Sequence, residues 1–157
     1  MGGVLNALLV GTLVLLLVSA GIQDARTREI ANWKNAAIAL LAPLWWWSHG
    51  LALWPDMIQL FGIAAAVFAL FCVAFHFGWM GGGDVKMIGA LSLWFFWIQS
   101  LAEMLIVMSL IGGAITLLLM IERTIRKNTA QIEIPYGVAI AIAALLVIRE
   151  PNFNQFL

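Results

Sequence analysis

The sequence predicts an all-α polytopic membrane protein with about six transmembrane helices, and three observations lead to that reading. Of the 157 residues, 64% are hydrophobic and only 10% charged; a soluble domain carries about a quarter charged residues, so most of this surface is expected to meet lipid. The apolar residues gather in long runs, several of them near the roughly 20 residues that cross a bilayer. Seven of the eight basic residues lie in three connections that a six-helix path places on one side. The length suits a single domain over residues 1–157.

The first segment runs from about Val4 to Ile22. No Lys or Arg precedes it, so it is expected to be a retained helix and not a cleaved signal. The second runs from about Ala36 to Leu53, and Trp54-Pro55-Asp56 makes a tight break before the third, from about Met57 to Trp79. Gly81-Gly82-Gly83 then interrupts the chain, and a short fourth segment covers Val85 to Ile98. A fifth spans about Leu101 to Ile121. A sixth, also short, runs from Pro135 or Tyr136 to Ile148. The stretch from Glu122 to Ile134 is the one sizeable polar connection.

Arg26, Arg28 and Lys34 fall between segments one and two, Lys86 just after the glycines, and Arg123, Arg126 and Lys127 between segments five and six. Only Arg149 falls on the other side. The positive-inside rule then puts these connections in the cytoplasm and both termini outside it. Trp45-Trp46-Trp47 and Trp54 sit near the outer end of segment two, where indoles are expected to anchor at the headgroups. Ser109, Gly112 and Gly113 are small enough to let helices approach closely.

Composition excludes some functions. The formal charge is zero, with eight basic and eight acidic side chains, so no basic face is available to bind nucleic acid. The single cysteine, Cys72, lies in an apolar run and is expected to be packing. His49 and His76 stand on different segments without clustered ligands and are read as structural or interfacial. Neither a metal nor a cofactor is expected.

Ionisable groups near hydrocarbon are costly and each calls for a reason. Asp24 closes segment one and Asp84 opens segment four. By the topology above, both lie at cytoplasmic helix ends and at matching depth. Two carboxylates held close do not both ionise easily, so one keeps a proton. The ionised partner can then take a proton from water attacking a peptide carbonyl, while the protonated one polarises that carbonyl. Gly81 to Gly83 are expected to let a substrate backbone approach and to supply dihedrals closed to other residues. The bland alternatives are a turn capped by Asp84 and a loop carboxylate at Asp24 paired with Arg26 or Arg28. Lys86 is read either as tuning the pair or holding a substrate carbonyl, or as snorkelling to the interface. Arg26, Arg28 and Glu29 read as a solvated loop, and Asp56, Glu103 and Glu150 as ordinary surface charges.

Three blocks resemble a known family. Gly81-Gly82-Gly83-Asp84 followed by Val85-Lys86-Met87 resembles the GxGD signature of type IV prepilin peptidases. Asp24 with Arg28, Ile30 and Asn32 is similar to the family's first aspartate motif, and Ile134-Pro135-Tyr136-Gly137 is similar to the entry to its last helix. The resemblance implies Asp24 and Asp84 as the catalytic pair and Gly81 and Gly83 as motif glycines. Lys86, Pro135, Tyr136 and Gly137 follow as substrate-binding or structural residues at the site. It further implies an aspartic endopeptidase of the bacterial inner membrane that needs no cofactor. Its partners would be prepilin or pseudopilin precursors, whose leaders it removes at the cytoplasmic face, and membrane lipid.

Ala31 stands where the family usually has Pro, which leaves the loop after Asp24 less rigid. The chain also lacks the cysteine-bearing insertion of the long bifunctional members. It therefore resembles the short, peptidase-only form of Flp-pilus and tight-adherence systems, without N-methylation. The rival readings are a small proton-coupled carrier and a catalytically silent subunit of a secretion machine. The sequence sets no oligomeric state.

Overall fold

The computed structural model describes residues 2–126 and 134–149. Six α-helices account for most of them: α1 (Gly2–Thr27), α2 (Asn32–Ser48), α3 (Ile58–His76), α4 (Gly82–Ser92), α5 (Ile98–Arg126) and α6 (Tyr136–Ile148). A turn over Leu53–Met57, extended at Trp54 (φ −129°, ψ 130°), leads into α3. No strand occurs among the described residues. Six expected segments thus correspond to six helices, with shifted ends. α1 continues past Ile22, so Asp24 is in its last turn, and α2 begins at Asn32 instead of Ala36. α4 stops at Ser92, short of the expected Ile98. Part of the polar connection over Glu122–Ile134, with Lys127, lies outside the described residues, as does Glu150; Glu122 and Arg123 continue α5.

Each end has a local cause. Arg28 takes a left-handed φ of 57° and closes α1; few non-glycine residues do so. Its amide still donates to Asp24 O at 2.9 Å. α2 and α3 both end in the reversed hydrogen bonds of a Schellman turn, Leu51 N to Trp46 O and Trp79 N to Ala74 O. The left-handed residue in each is a glycine, Gly50 (φ 67°) and Gly78 (φ 72°), which has no Cβ to resist it. The turn that ends α4 is held by two indole bonds to α2. Trp46 Nε1 donates to Leu93 O at 2.7 Å, and Trp94 Nε1 donates to Ile38 O at 2.9 Å. These two indole bonds pin the turn after α4 to α2.

The packing is a ring with two outriders. α1 packs on α2 and α6, α2 on α4, and α4 on α6, while α3 lies against α4 and α5 against α6. Leu13 and Leu17 of α1, Ile38 of α2, Ile88 of α4 and Ala143 of α6 are fully buried inside the ring. The outward surface is apolar instead of charged: Leu15, Leu40, Leu110 and Leu118 are all largely exposed. Three helical stretches, Gly3–Thr27, Leu53–His76 and Ile98–Ile125, are long and apolar enough to cross a bilayer. α6 is apolar but shorter, and α4 has 11 residues. An apolar exterior around such helices is that of a membrane protein.

The tryptophan expectation divides. Trp47 and Trp54 are exposed, as headgroup anchors would be, but Trp45 and Trp46 are buried. Trp45 stacks on Trp94 and Phe96, with ring centroids 5.6 and 5.9 Å away. A run of three adjacent tryptophans on a helix turns through 200°, so it cannot face one environment. Of the small residues in α5, Gly112 alone makes a close approach: the Tyr136 ring lies where its Cβ would be, at 2.8 Å. Gly113 faces open space, and the Ser109 hydroxyl turns back to Leu105 O. Cys72 is half-buried and free. His49 packs on the Trp45 ring and its Nδ1 lies 2.8 Å from Trp45 O, while His76 lies against Phe77.

Candidate active site

The last turn of α1 and the first turns of α4 and α6 meet at one end of the ring, and two aspartates lie there. Asp24 is 4% exposed and Asp84 is 8% exposed. A carboxylate at the end of α1 faces the negative pole of its own helix. The partner comes from α6, whose first amides have no acceptor within the helix. Val138 N donates to Asp24 Oδ2 at 3.2 Å, and the Gly137 amide also donates to this carboxylate.

This approach depends on Gly137. A Cβ on it would lie 2.8 Å from Asp24 Cγ and 2.7 Å from Ile30 Cδ1, inside contact distance of both. Ile30, 7% exposed, is the wedge between the two halves of the site. It also sits 3.3 Å from where a Cβ of Gly83 would be. The block Ile134-Pro135-Tyr136-Gly137 can now be divided by role. Pro135 supplies the carbonyl that accepts from Val138 N at 3.2 Å. Tyr136 fixes α6 on α5 through Gly112, and Gly137 opens α6 to Asp24.

Asp84 is supported from its own helix. It lies in the first turn of α4, the end that favours a carboxylate, and the Gly81 amide donates to it. A Cβ on Gly81 would stand 3.0 Å from Asp84 Oδ2. The glycines therefore serve close packing. Their expected special dihedrals are not found: Gly81 has φ −71° and ψ 146°, and the left-handed glycines are Gly50 and Gly78. Asp84 precedes the fourth apolar segment and lies outside the three long spans. Burial, and then the charge of Asp24, push its pKa up to about 7.

Lys86 is exposed and turned away from the pair, its Nζ donating to Asn32 Oδ1 at 2.8 Å. Burial, Asp24 and the Gly81 amide govern Asp84, so the titration-tuning role read for Lys86 gains no support. Asn35 was not singled out by the sequence, yet its Nδ2 donates to Gly83 O at 3.1 Å and so fixes the loop carrying Asp84. Ala31, the departure from the resemblance, adopts φ −59° and ψ 130°, which a proline ring would also hold. The loop therefore keeps a proline-like shape without one. No group of three or more His, Cys, Asp or Glu gathers among the described residues.

The model of the type IV leader peptidase family matches residues 11–120. The chain belongs to that family. The match takes in both aspartates, Ile30 and the three glycines, and stops before α6. The part played by Pro135, Tyr136 and Gly137 at this site therefore rests on the structure and the motif. No curated protein and no solved structure matches the chain. Membership makes the protein a leader peptidase-like protease, with prepilin-type proteins as the general class of substrate.

Proposed function

We propose that the protein is an aspartic endopeptidase of the inner membrane that cuts the leader from prepilins or pseudopilins at the cytoplasmic face, and that it does not methylate the new N-terminus. The observation that carries this reading is the gathering, at one end of the ring, of two buried carboxyl groups 60 positions apart in sequence. In this scheme the proton of the pair is held on the Asp84 side. Asp24, supported by two α6 amides, draws the proton from an attacking water. Asp84 polarises the scissile carbonyl and then helps to protonate the leaving amine.

The reading includes six membrane crossings, the fourth beginning at Val85, beyond Asp84, and the sixth formed by α6, with both termini outside the cytoplasm. The cation distribution supports that orientation. The short form, without the cysteine-bearing insertion, supports Flp-type pilins as the substrate group.

The test is cleavage of a cognate precursor by purified protein in detergent. Cutting at the leader junction is expected, and Asp24→Asn or Asp84→Asn should each abolish it while leaving membrane insertion intact. Cleavage that survives either change removes that residue from the mechanism. Purified protein that leaves the precursor uncut would make the silent-subunit reading the better one.

A further inference from the structure

Lys34 stands in the first turn of α2 and is only 7% exposed. Two features of that place oppose a cation. Burial strips it of water, and the start of a helix is the positive pole of its dipole. Its partners among the described residues are neutral: Nζ donates to Ser19 O of α1 at 2.8 Å and lies 5.8 Å from the centre of the Trp33 ring. A lysine held at such cost calls for a reason.

The neighbouring residue supplies one. Asn35 is also buried, and its Nδ2 donates to Gly83 O at 3.1 Å. Successive side chains on a helix point about 100° apart, so Lys34 and Asn35 reach from one turn in different directions. Lys34 takes hold of α1, five positions before Asp24. Asn35 takes hold of the loop at the residue before Asp84. Asn32 opens the same turn and accepts from Lys86 Nζ of α4 at 2.8 Å. Ser19 lies about 7.5 Å further along the axis of α1 than Asp24, and the long stem of a lysine spans that offset from the start of α2.

We infer that Lys34 is a positioning residue for the aspartate pair: with Asn35 it forms a cross-brace through which the first turn of α2 sets the spacing between the arm of Asp24 and the arm of Asp84. This rests on the peptidase reading, and it adds what keeps the two carboxyl groups in register. Ile30 fills the space between the arms, but apolar burial has no direction. Two hydrogen bonds to backbone carbonyls do have one. Both ties act through the backbone and not on the substrate.

The test separates positioning from mere support of the fold. Lys34→Met keeps most of the stem and removes the donor and the charge. Because a buried cation is removed with it, the variant should melt no lower than the unchanged protein in lipid nanodiscs. Its kcat on a cognate precursor is nevertheless expected to fall about tenfold with KM unchanged, since a misplacement of about 1 Å at reacting groups costs up to about 10²-fold. Asn35→Ala should lower kcat in the same way. Amide hydrogen exchange reads the two ties without any substrate. Lys34→Met should speed exchange over Asp24–Arg28, and Asn35→Ala should speed it over Gly81–Val85. The inference is overturned if Lys34→Met leaves kcat unchanged, if its loss lies in KM, if activity falls only in step with the melting temperature, or if exchange over Asp24–Arg28 stays the same. Failure of the unchanged protein to cut a cognate precursor counts against the peptidase reading alone, and the exchange pattern then decides the brace by itself.

Discussion

The two aspartates are the same residue in two opposite settings, and the difference shows how this site is built. Asp84 stands at the start of its helix, where the dipole and free amides favour a carboxylate, and Gly81 supplies a donor from the same loop. Asp24 stands at the end of its helix, where the dipole opposes it. Its donors, Gly137 and Val138, come from a helix more than a hundred residues away. One arm is thus locally sufficient, and the other exists only when α1 and α6 have packed together. Ile30 joins the arms by packing against Gly83 on one side and Gly137 on the other.

The largest effects should treat the arms alike. Asp24→Asn and Asp84→Asn are each expected to cut kcat/KM for leader cleavage by at least about 10³-fold, within the range of general acid–base catalysis. A loss in only one of them would break the pairing. The next test separates the arms. In Gly137→Ala the new methyl collides with Asp24 Cγ and with Ile30, so kcat should fall about 10²-fold from misplacement of one carboxylate. Gly81→Ala meets only the Asp84 Oδ2 atom, at 3.0 Å, and should cost less. Equal losses in steady-state kinetics would show that the two arms are equally tight.

Titration sharpens the comparison further. With Asp84 near 7, kcat/KM should decline as pH rises through about 7, because the shared proton leaves the free enzyme. Stability follows the same proton. A carboxyl whose folded pKa is raised binds more protons folded than unfolded between about pH 4 and 7, so its contribution to stability falls across that window as pH rises. Asp84→Asn should therefore raise the melting temperature at pH 8 and have a smaller effect at pH 4, as measured by thermal unfolding in detergent. A melting difference independent of pH would remove Asp84 as the strained partner. The smallest effect is expected at Ala31. Its dihedrals already suit proline, and the amide that would be lost reaches Gln23 Oε1 only at 3.4 Å. Ala31→Pro should thus stabilise by under about 1 kcal/mol, seen as a slight rise in melting temperature with kcat unchanged.

Hydrophobic runs were sufficient to place six helices, because burial in lipid requires each backbone to satisfy itself locally. The helix ends were less legible. α4 stops where the turn that follows it is tied to α2, by the Trp46 indole on Leu93 O and the Trp94 indole on Ile38 O, and nothing in the run Leu93 to Ile98 announces those partners. The same limit separates Trp45 and Trp46 from Trp47: composition marks all three as interfacial, while the rotation of α2 buries two of them.

At the site, the order of residues was enough to single out Asp24 and Asp84 as candidates. Two acids at the ends of apolar runs are too costly to be incidental, and the three glycines mark one of them. How those acids are held emerges from the packed helices alone. Asp24 depends on amides of α6, Asn35 ties down the loop of Asp84, and Gly137 is needed because a carboxylate occupies the place of its side chain. Backbone amides and missing atoms carry no letter in a sequence, so contacts made by them become visible only when the helices have been brought together.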